Sequence, residues 1–133
     1  MCRVRGLVLD FGGVLTDSGS EELLIAVERA RREDIRTAIL SNADGRWAPP
    51  REWGHLFDAV VTSGASGVAK PDAEIYLLTA SELGLEPGDC VFVDDLPVNV
   101  RGAAAAGMVG VHHTSVETTL QELEILLAIP LRG

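Results

Sequence analysis

The stretch LVLDFGGVLTD, residues 7–17, decides how the rest of the sequence is interpreted. Leu7, Val8 and Leu9 suit a buried strand that ends at Asp10, and the two glycines that follow let the backbone bend sharply. In parallel α/β sheets, ligands bind in the crevice at the carboxyl ends of the strands. Asp10 is therefore predicted to be a functional carboxylate and not a packing residue.

The length and charge of the chain limit the kinds of protein it can be. The 133 residues can bury roughly two-thirds of their unfolded surface, so we expect one domain over residues 1–133. A formal net charge of -9 disfavours nucleic acid or an anionic membrane as a partner, since both demand a basic surface. No apolar run reaches the roughly 18 residues of a membrane span, and no signal peptide is recognisable, so a cytoplasmic location is expected.

Short apolar runs alternate with helical patterns along the whole chain. Five strands are predicted, over residues 7–9, 37–40, 57–62, 91–93 and 109–112. Four helices are predicted, after a capping box formed by Ser18 and Glu21, over residues 71–83, from Pro97 to Gly107, and after a second capping box formed by Thr114 and Glu117. Residues 43–54 should form a loop or short helix, and residues 63–68 a glycine-rich loop. This alternation predicts a three-layer, doubly wound parallel α/β sheet.

Polar side chains follow three of the predicted strands. Asp10 follows the first strand, Ser41 the second, and Asp94 and Asp95 the fourth. Lys70 lies where another strand connects to a helix. Because the carboxyl ends of parallel strands share one edge of the sheet, these groups are expected to converge on one crevice.

Four segments in order resemble the motifs of a known superfamily. LVLDFGGVLTD (7–17), AILSN (38–42), GVAKPDAEIY (67–76) and VFVDDLPVNVRGAAAAGM (91–108) are similar to motifs one to four of the haloacid dehalogenase-like (HAD) superfamily. From about residue 63 to residue 112, the chain is particularly similar to the phosphatase-type domain at the N-terminus of soluble epoxide hydrolases. The resemblance implies a Rossmann-like HAD core over nearly the whole chain.

This resemblance implies a Mg²⁺-dependent phosphatase that works through an aspartyl-phosphate. Asp10 would be the nucleophile, and Lys70 would compensate the negative charge of Asp10 and the substrate. Ser41, with the backbone N–H of Asn42, would hold the transferring phosphoryl oxygens.

The resemblance also implies a ligand set for Mg²⁺. One oxygen of Asp10, the backbone carbonyl of Gly12 and the carboxylate of Asp95 would bind the cation, with water and phosphate completing its shell. Asp94 would be a supporting acid or a weaker ligand. Asn99 would orient Asp95 or the catalytic lysine, although a polar residue near a helix start is the alternative interpretation.

The sequence departs from the superfamily pattern at Gly12. Phosphatases of this superfamily usually carry there a second aspartate that protonates the leaving group, and such general acid–base help is worth roughly a hundredfold to ten-thousandfold. We therefore expect a weak or selective enzyme that favours good leaving groups such as acyl or aryl phosphates. Asp17 is a candidate substitute acid, and a solvent-facing residue that leads into the next helix is the alternative.

No insertion large enough for a cap domain separates the motifs. The crevice should be open to a small or macromolecular phosphorylated substrate, or be covered by a second copy of the chain in a homodimer. Trp47 and Trp53 are candidates for the crevice rim or such an interface, with core packing expected for at least one of them. His55, His112 and His113 are predicted to be surface or rim residues.

Two other functions stay open from the sequence. A non-catalytic descendant, which keeps the fold as a binding or interaction module, is favoured by Gly12. Retention of Asp10, Ser41, Lys70 and Asp95 favours the enzyme. A haloacid dehalogenase also lacks the second aspartate, but it relies on a cap and needs no pair of aspartates after the fourth strand.

Overall fold

The computed structural model describes residues 4–132. Within this range, five parallel strands form one sheet: β1 (Gly6–Leu9), β2 (Arg36–Ser41), β3 (Ala59–Thr62), β4 (Cys90–Asp94) and β5 (Val109–His112). Their spatial order is β3-β2-β1-β4-β5, so β1 and β4 lie at the centre. The doubly wound parallel sheet predicted from the alternating pattern is confirmed.

Four main helices cover the two faces of the sheet. They are α1 (Ser20–Arg32), α2 (Ala73–Glu82), α3 (Pro97–Ala105) and α4 (Val116–Leu127). Buried residues of α1 and α4 pack in one hydrophobic core, and those of α2 and α3 pack in the other. Over residues 4–132 the structure is a three-layer sandwich with no cap inserted between its strands. None of the helices described is long and apolar enough to cross a membrane.

Residues along the central strands alternate between the two cores. In β1, Leu7 and Leu9 face α1 and α4, whereas Val8 faces α2 and α3. β4 is fully buried from Cys90 to Asp94. Strands buried on both faces are continuous apolar runs, which is why the polar residues at their carboxyl ends are conspicuous.

Both predicted capping boxes are wrong. α1 begins at Ser20 after Gly19, with no side-chain cap, and Ser18 instead donates to the carboxylate of Asp17 at 3.4 Å. α4 is capped by Ser115, whose hydroxyl accepts from the Thr118 backbone N–H at 3.1 Å. Neighbouring Ser and Thr residues offer the same capping hydroxyl at several registers, so spacing alone did not select the right one.

Other boundaries differ by one or two residues, and the predicted loops contain short helical turns. α2 begins at Ala73, because Asp72 keeps an extended backbone with ψ of 136°. The region 43–54 contains a 3-10 turn over Arg51–Trp53, as a loop or short helix was expected. The predicted glycine-rich loop contains a one-turn helix, Ser63–Ser66, which ends at Gly67 with φ of 80°.

Candidate active site

The carboxyl ends of β1 and β4 place two carboxylates side by side. Leu9 pairs with Val93 in the parallel ladder, and the Asp10 backbone N–H donates to the Val93 carbonyl at 3.0 Å. Because side chains alternate along a strand, Asp10 and Asp94 both point toward the face covered by α2 and α3. Both carboxylates are buried, Asp10 with 7% exposure and Asp94 with 0%.

The Lys70 ammonium lies between these two carboxylates. Its Nζ donates to Asp10 Oδ1 at 2.8 Å, to Asp94 Oδ2 at 2.8 Å and to the Leu40 carbonyl at 3.2 Å. Three acceptors satisfy the three N–H groups of the ammonium, as a buried lysine requires. The Phe92 ring lies beneath, with its centroid 5.3 Å from Nζ. The structure thus brings together the predicted nucleophile and the predicted charge-compensating lysine.

Asn42 fixes the backbone of Lys70. Its side-chain amide donates to the Lys70 carbonyl at 3.1 Å and accepts from the Lys70 N–H at 2.9 Å. An amide side chain can pair in this way with a peptide group, because it carries the same donor and acceptor. The sequence analysis considered only the backbone N–H of Asn42 and missed this contact, for which a linear sequence offers no signal.

Asn99 orients Asp94, and not Asp95 or Lys70 as expected from the sequence. Asn99 lies in the first turn of α3, and its Nδ2 donates to Asp94 Oδ2 at 3.1 Å. The other oxygen of Asp94 accepts from the Leu96 backbone N–H at 2.9 Å. Helical side chains point back toward the N-terminus, so a residue in the first turn reaches the end of the preceding strand. Three hydrogen bonds, from Lys70, Leu96 and Asn99, therefore occupy the carboxylate of Asp94.

The two glycines of the first motif differ in what the backbone requires. Gly13 has φ of 81°, and a Cβ built on it would collide with the carboxylate of Asp95. Gly12 has φ of -67°, and a Cβ there meets no atom of the described residues within 4 Å. Gly13 is therefore needed for the close approach of Asp95, whereas a side chain at Gly12 fits without strain.

The three aspartates form a cluster of oxygen ligands. One carboxylate oxygen from each of Asp10, Asp94 and Asp95 lies within 4.8 Å of the others. Burial raises the pKa of Asp10 to about 6, although the charge and hydrogen bond of Lys70 act in the opposite direction. Burial, together with a hydrogen bond and charge from Asp94, also raises the pKa of Asp95. Crowded carboxylates with a hard oxygen donor set suit Mg²⁺, whose charge would relieve their repulsion.

Ser41 lies one residue beyond the Leu40 carbonyl that accepts from Lys70, at the end of β2. Its exposure is 6%, and its hydroxyl hydrogen bonds to no other residue in the range 4–132. The structure therefore brings Ser41 to the same edge as Asp10, with its hydroxyl available to a ligand.

Asp17 is turned toward a histidine. Its Oδ2 lies 2.8 Å from Nε2 of His113, and this hydrogen bond is the main reason that the pKa of Asp17 is lowered. A carboxyl group that is ionised and already bonded is a poor proton donor, which argues against Asp17 as the substitute acid. The prediction that His113 is a surface or rim residue is wrong, since it is 4% exposed and its Nδ1 lies 2.7 Å from Thr119 Oγ1.

The other histidines and the tryptophans lie near the surface. His55 and His112 are exposed, and His112 Nε2 lies 3.0 Å from the Asp95 carbonyl. Trp47 and Trp53 are half-buried around the Phe11 ring, at centroid distances of 4.7 and 6.0 Å. Phe11 directly follows Asp10, so this aromatic group packs against the core beside the site, as expected for at least one tryptophan.

Comparison with known proteins identifies the class of protein to which this chain belongs. A family model described as haloacid dehalogenase-like hydrolase matches residues 19–107, which is more than half of the chain. The chain belongs to the haloacid dehalogenase-like hydrolase family, which confirms the resemblance seen in its motifs. The matched segment includes the lysine and the aspartate pair but begins after Asp10.

Two curated proteins are similar to part of the chain. The chain is 40% identical over 76 residues to the sesquiterpene phosphatase astK of Aspergillus oryzae, which covers 57% of this chain and 38% of that protein. It is 35% identical over 75 residues to bifunctional epoxide hydrolase 2 of Sus scrofa, with coverage of 56% and 14%. The chain therefore spans well under half the length of these curated relatives.

A solved structure matches over nearly its full length. An uncharacterized protein from Corynebacterium glutamicum superposes with a TM-score of 0.89 and 35% identity, covering 95% of this chain and 96% of that chain. The fold of this chain therefore agrees closely with that of a second protein over nearly the whole of both chains.

Proposed function

We propose that the chain is a Mg²⁺-dependent phosphatase that forms an aspartyl-phosphate on Asp10. The observation that carries this proposal is the buried Lys70 ammonium, bonded at 2.8 Å to both Asp10 and Asp94 at the carboxyl edge of the sheet. Burial and charge repulsion disfavour such a group of ionised carboxylates, so a purely structural role would not require it. Similarity to a phosphatase agrees with this reading.

The proposed reaction has two displacements at phosphorus. A carboxylate oxygen of Asp10 attacks in line, and the phosphorus–oxygen bond to the leaving group breaks with its electron pair on the departing oxygen. Water then attacks the phosphorus of the aspartyl-phosphate, which releases inorganic phosphate and restores the carboxylate. With its pKa near 6, Asp10 is ionised at neutral pH and able to begin this sequence.

The other residues of the site stabilise the charge that accumulates during transfer. Lys70 neutralises one charge beside Asp10, and the free hydroxyl of Ser41 with the backbone N–H of Asn42 would hold phosphoryl oxygens. Asp10, the Gly12 carbonyl and Asp95 would hold Mg²⁺, which when bound supplies positive charge against the phosphoryl group. Asp94 would support the ligands, because Lys70, Leu96 and Asn99 already donate to its oxygens.

The substrate should carry a leaving group that departs without a proton from the enzyme. Gly12 has no side chain to donate one, and the Asp17 carboxylate is held by His113. Aryl and acyl phosphates meet this requirement, because their oxygens leave as weakly basic anions. The open carboxyl edge would admit a small or a macromolecular substrate, and a homodimer covering it stays a prediction from the sequence.

Gly12 also supports a second candidate, a non-catalytic module that binds a phosphorylated partner. The decisive experiment is hydrolysis of 4-nitrophenyl phosphate and acetyl phosphate, with and without Mg²⁺, by the wild type and Asp10→Asn. Asp58→Asn, which removes a carboxylate at the opposite edge of the sheet, is the matched control.

We expect turnover by the wild type and by Asp58→Asn that depends on Mg²⁺, and a loss of roughly a thousandfold or more in Asp10→Asn. Turnover that persists in Asp10→Asn would contradict the nucleophile assignment. No turnover of either phosphate by the wild type would favour the binding module.

A further inference from the structure

We infer that Asp17 and His113 are positioning residues that set the geometry of the proposed Mg²⁺ site. This inference rests on the proposed function, and it concerns two residues for which that function has no catalytic use. They connect two of the parts of the chain that would supply cation ligands: the flap, defined as residues 11–19, and the end of β4.

The flap holds its own shape but has few polar links to the rest of the site. The Gly13 N–H donates to Thr16 Oγ1 at 2.8 Å, and the Thr16 and Asp17 N–H groups donate to carbonyls within the flap at 3.2 Å each. Val14 and Leu15 are buried in the core, whereas Gly12 and Gly13 are exposed. The flap is thus anchored at its middle by the apolar packing of Val14 and Leu15. The residues that follow, including Asp17, need a separate attachment.

Asp17 provides that attachment through a chain of hydrogen bonds in which the Asp17 side chain is 28% exposed and the other members are buried. Its Oδ2 lies 2.8 Å from His113 Nε2, and His113 Nδ1 lies 2.7 Å from Thr119 Oγ1 of α4. The imidazole is 4% exposed and Thr119 is 0% exposed, so both ring nitrogens are satisfied inside the protein. A satisfied polar chain in a low-dielectric interior is stiff, because each broken bond leaves an unpaired buried group.

His113 and the neighbouring His112 also hold the end of β4. The His113 backbone N–H donates to the Asp94 carbonyl at 2.8 Å, and His112 Nε2 lies 3.0 Å from the Asp95 carbonyl. His112 and His113 therefore contact the backbone carbonyls of Asp95 and Asp94. The His113 ring also contacts Asp17 in the flap.

These contacts close a loop around the proposed cation site. The loop runs from the flap glycines to the Asp95 carboxylate, which packs against Gly13, then through the Asp95 backbone to the two histidines, and back through Asp17 to the flap. Mg²⁺ demands nearly ideal octahedral geometry at short metal–oxygen distances. A shift of the Gly12 carbonyl relative to Asp95 would therefore weaken cation binding before it affects the overall fold.

The test measures cation binding directly, without substrate, by titration calorimetry with Mg²⁺ and by electron paramagnetic resonance with Mn²⁺. The variants are Asp17→Ala, which removes the acceptor, and Asp17→Asn, which keeps an oxygen for the His113 Nε2–H. His113→Gln places an amide near the position of Nε2 and serves as the conservative replacement on the other side. Asp58→Ala removes a carboxylate that links Arg31 and Thr37 at the opposite edge of the sheet, so it is the structural control.

We expect Asp17→Ala to weaken Mg²⁺ binding roughly tenfold, as is typical for residues that hold metal ligands in place. Asp17→Asn and His113→Gln should bind within about threefold of the wild type, because the connecting hydrogen bond is retained. Asp58→Ala should lower the urea midpoint of unfolding and leave the Mg²⁺ affinity unchanged.

Other outcomes would overturn the inference. Binding by Asp17→Ala within about twofold of the wild type would show that the pair does not set the site, given the size expected of such effects. Equal weakening by Asp17→Ala and Asp58→Ala would show a general loss of stability and contradict a positioning role. A wild type that binds neither cation would instead refute the Mg²⁺ dependence of the proposed function, and this inference would fall with it.

Discussion

The two edges of the sheet carry ion pairs of the same length in very different surroundings. At the carboxyl edge, Lys70 lies 2.8 Å from Asp10 and from Asp94, and the three side chains are at most 9% exposed. At the amino edge, Arg31 lies 2.8 Å from Asp58, with 31% and 39% of the side chains exposed. The pKa values move in opposite directions, since burial raises that of Asp10 to about 6 while that of Asp58 is lowered.

This difference separates a carboxylate that stabilises the fold from the carboxylate that we propose as the nucleophile. Burial also opposes ionisation of Asp58, but hydrogen bonds from the Thr37 backbone and Arg31 outweigh it. Such a carboxylate favours the folded state when it is ionised. Asp10 is instead held as an anion against the preference of its environment, which is the arrangement found for reactive groups.

Removing the Lys70 ammonium should have the largest effect on stability and should show the difference between the two edges most clearly. Lys70→Met leaves two buried carboxylates without their partner, and removal of one member of a buried pair costs about 3–5 kcal/mol. Arg31→Met, at the exposed pair, should cost at most about 1 kcal/mol. Urea unfolding in the presence of a chelator measures both free energies of unfolding. Similar losses in the two variants would contradict the contrast between the edges.

Adding an aspartate at position 12 tests whether the carboxyl edge of the sheet lacks only a general acid. Gly12→Asp places an acid where a Cβ meets no neighbour within 4 Å. We expect turnover of alkyl phosphates to rise by roughly tenfold to a hundredfold, with a smaller rise for aryl phosphates, because poor leaving groups need the proton most. Steady-state kcat/KM for a series of leaving groups gives the comparison. An equal rise for all substrates, or a fall, would show that the missing acid is not the limitation.

Gly13→Ala should distinguish the two adjacent glycines. Gly13 has φ of 81° and closely faces the Asp95 carboxylate, so a methyl group there should cost about 1–2 kcal/mol and weaken Mg²⁺ binding. Gly12→Ala is the matched control and should change stability by at most about 0.5 kcal/mol. Urea unfolding and calorimetric titration measure the two effects. Tolerance of Gly13→Ala with unchanged Mg²⁺ binding would contradict the close approach of Asp95.

The pH dependence of stability should have opposite signs at the two edges. The raised pKa of Asp10 favours folding when the group is protonated, and this contribution is lost as pH rises through about 6. The lowered pKa of Asp58 favours folding above its ordinary value of 3.8, and this contribution is lost as pH falls below that value. In metal-free protein at pH near 7, Asp10→Asn should therefore stabilise by on the order of 1 kcal/mol and Asp58→Asn should destabilise. Unfolding free energies measured from acid to neutral pH check both signs, and two variants with the same sign would contradict the account.

Much of the fold followed from the sequence because strong local patterns agreed with one another. The runs ending at Asp10, Ser41 and Asp94 are short and apolar, and those ending at Asp10 and Asp94 are each followed by a helical period, a pattern typical of a parallel sheet. The glycines just after α2 and α3, Gly84 and Gly107, have positive φ values of 70° and 102°, as is common where a helix ends. The exact starts of α1 and α4 did not follow, since several hydroxyl side chains compete for each cap, whereas the start of α3 at Pro97 was predicted correctly.

The candidate site was predictable where the chain itself fixes the position of a side chain. Residues at strand ends, such as Asp10, lie on the crevice as soon as the sheet is known. The contacts of Asn42 with Lys70, and of Asp17 with His113, join residues 28 and 96 positions apart. Such contacts depend on side-chain directions across elements, which periodicity does not encode.

The central claim is that Asp10 becomes phosphorylated during turnover. Rapid acid quench of the wild type with 4-nitrophenyl phosphate and Mg²⁺, followed by peptide mass spectrometry, measures this directly. The account predicts one added phosphoryl group on the peptide that contains Asp10, lost when the quenched adduct is treated with hydroxylamine and never seen in Asp10→Asn. Turnover without any phosphorylated Asp10 peptide, or with the phosphoryl group on another residue, would contradict it.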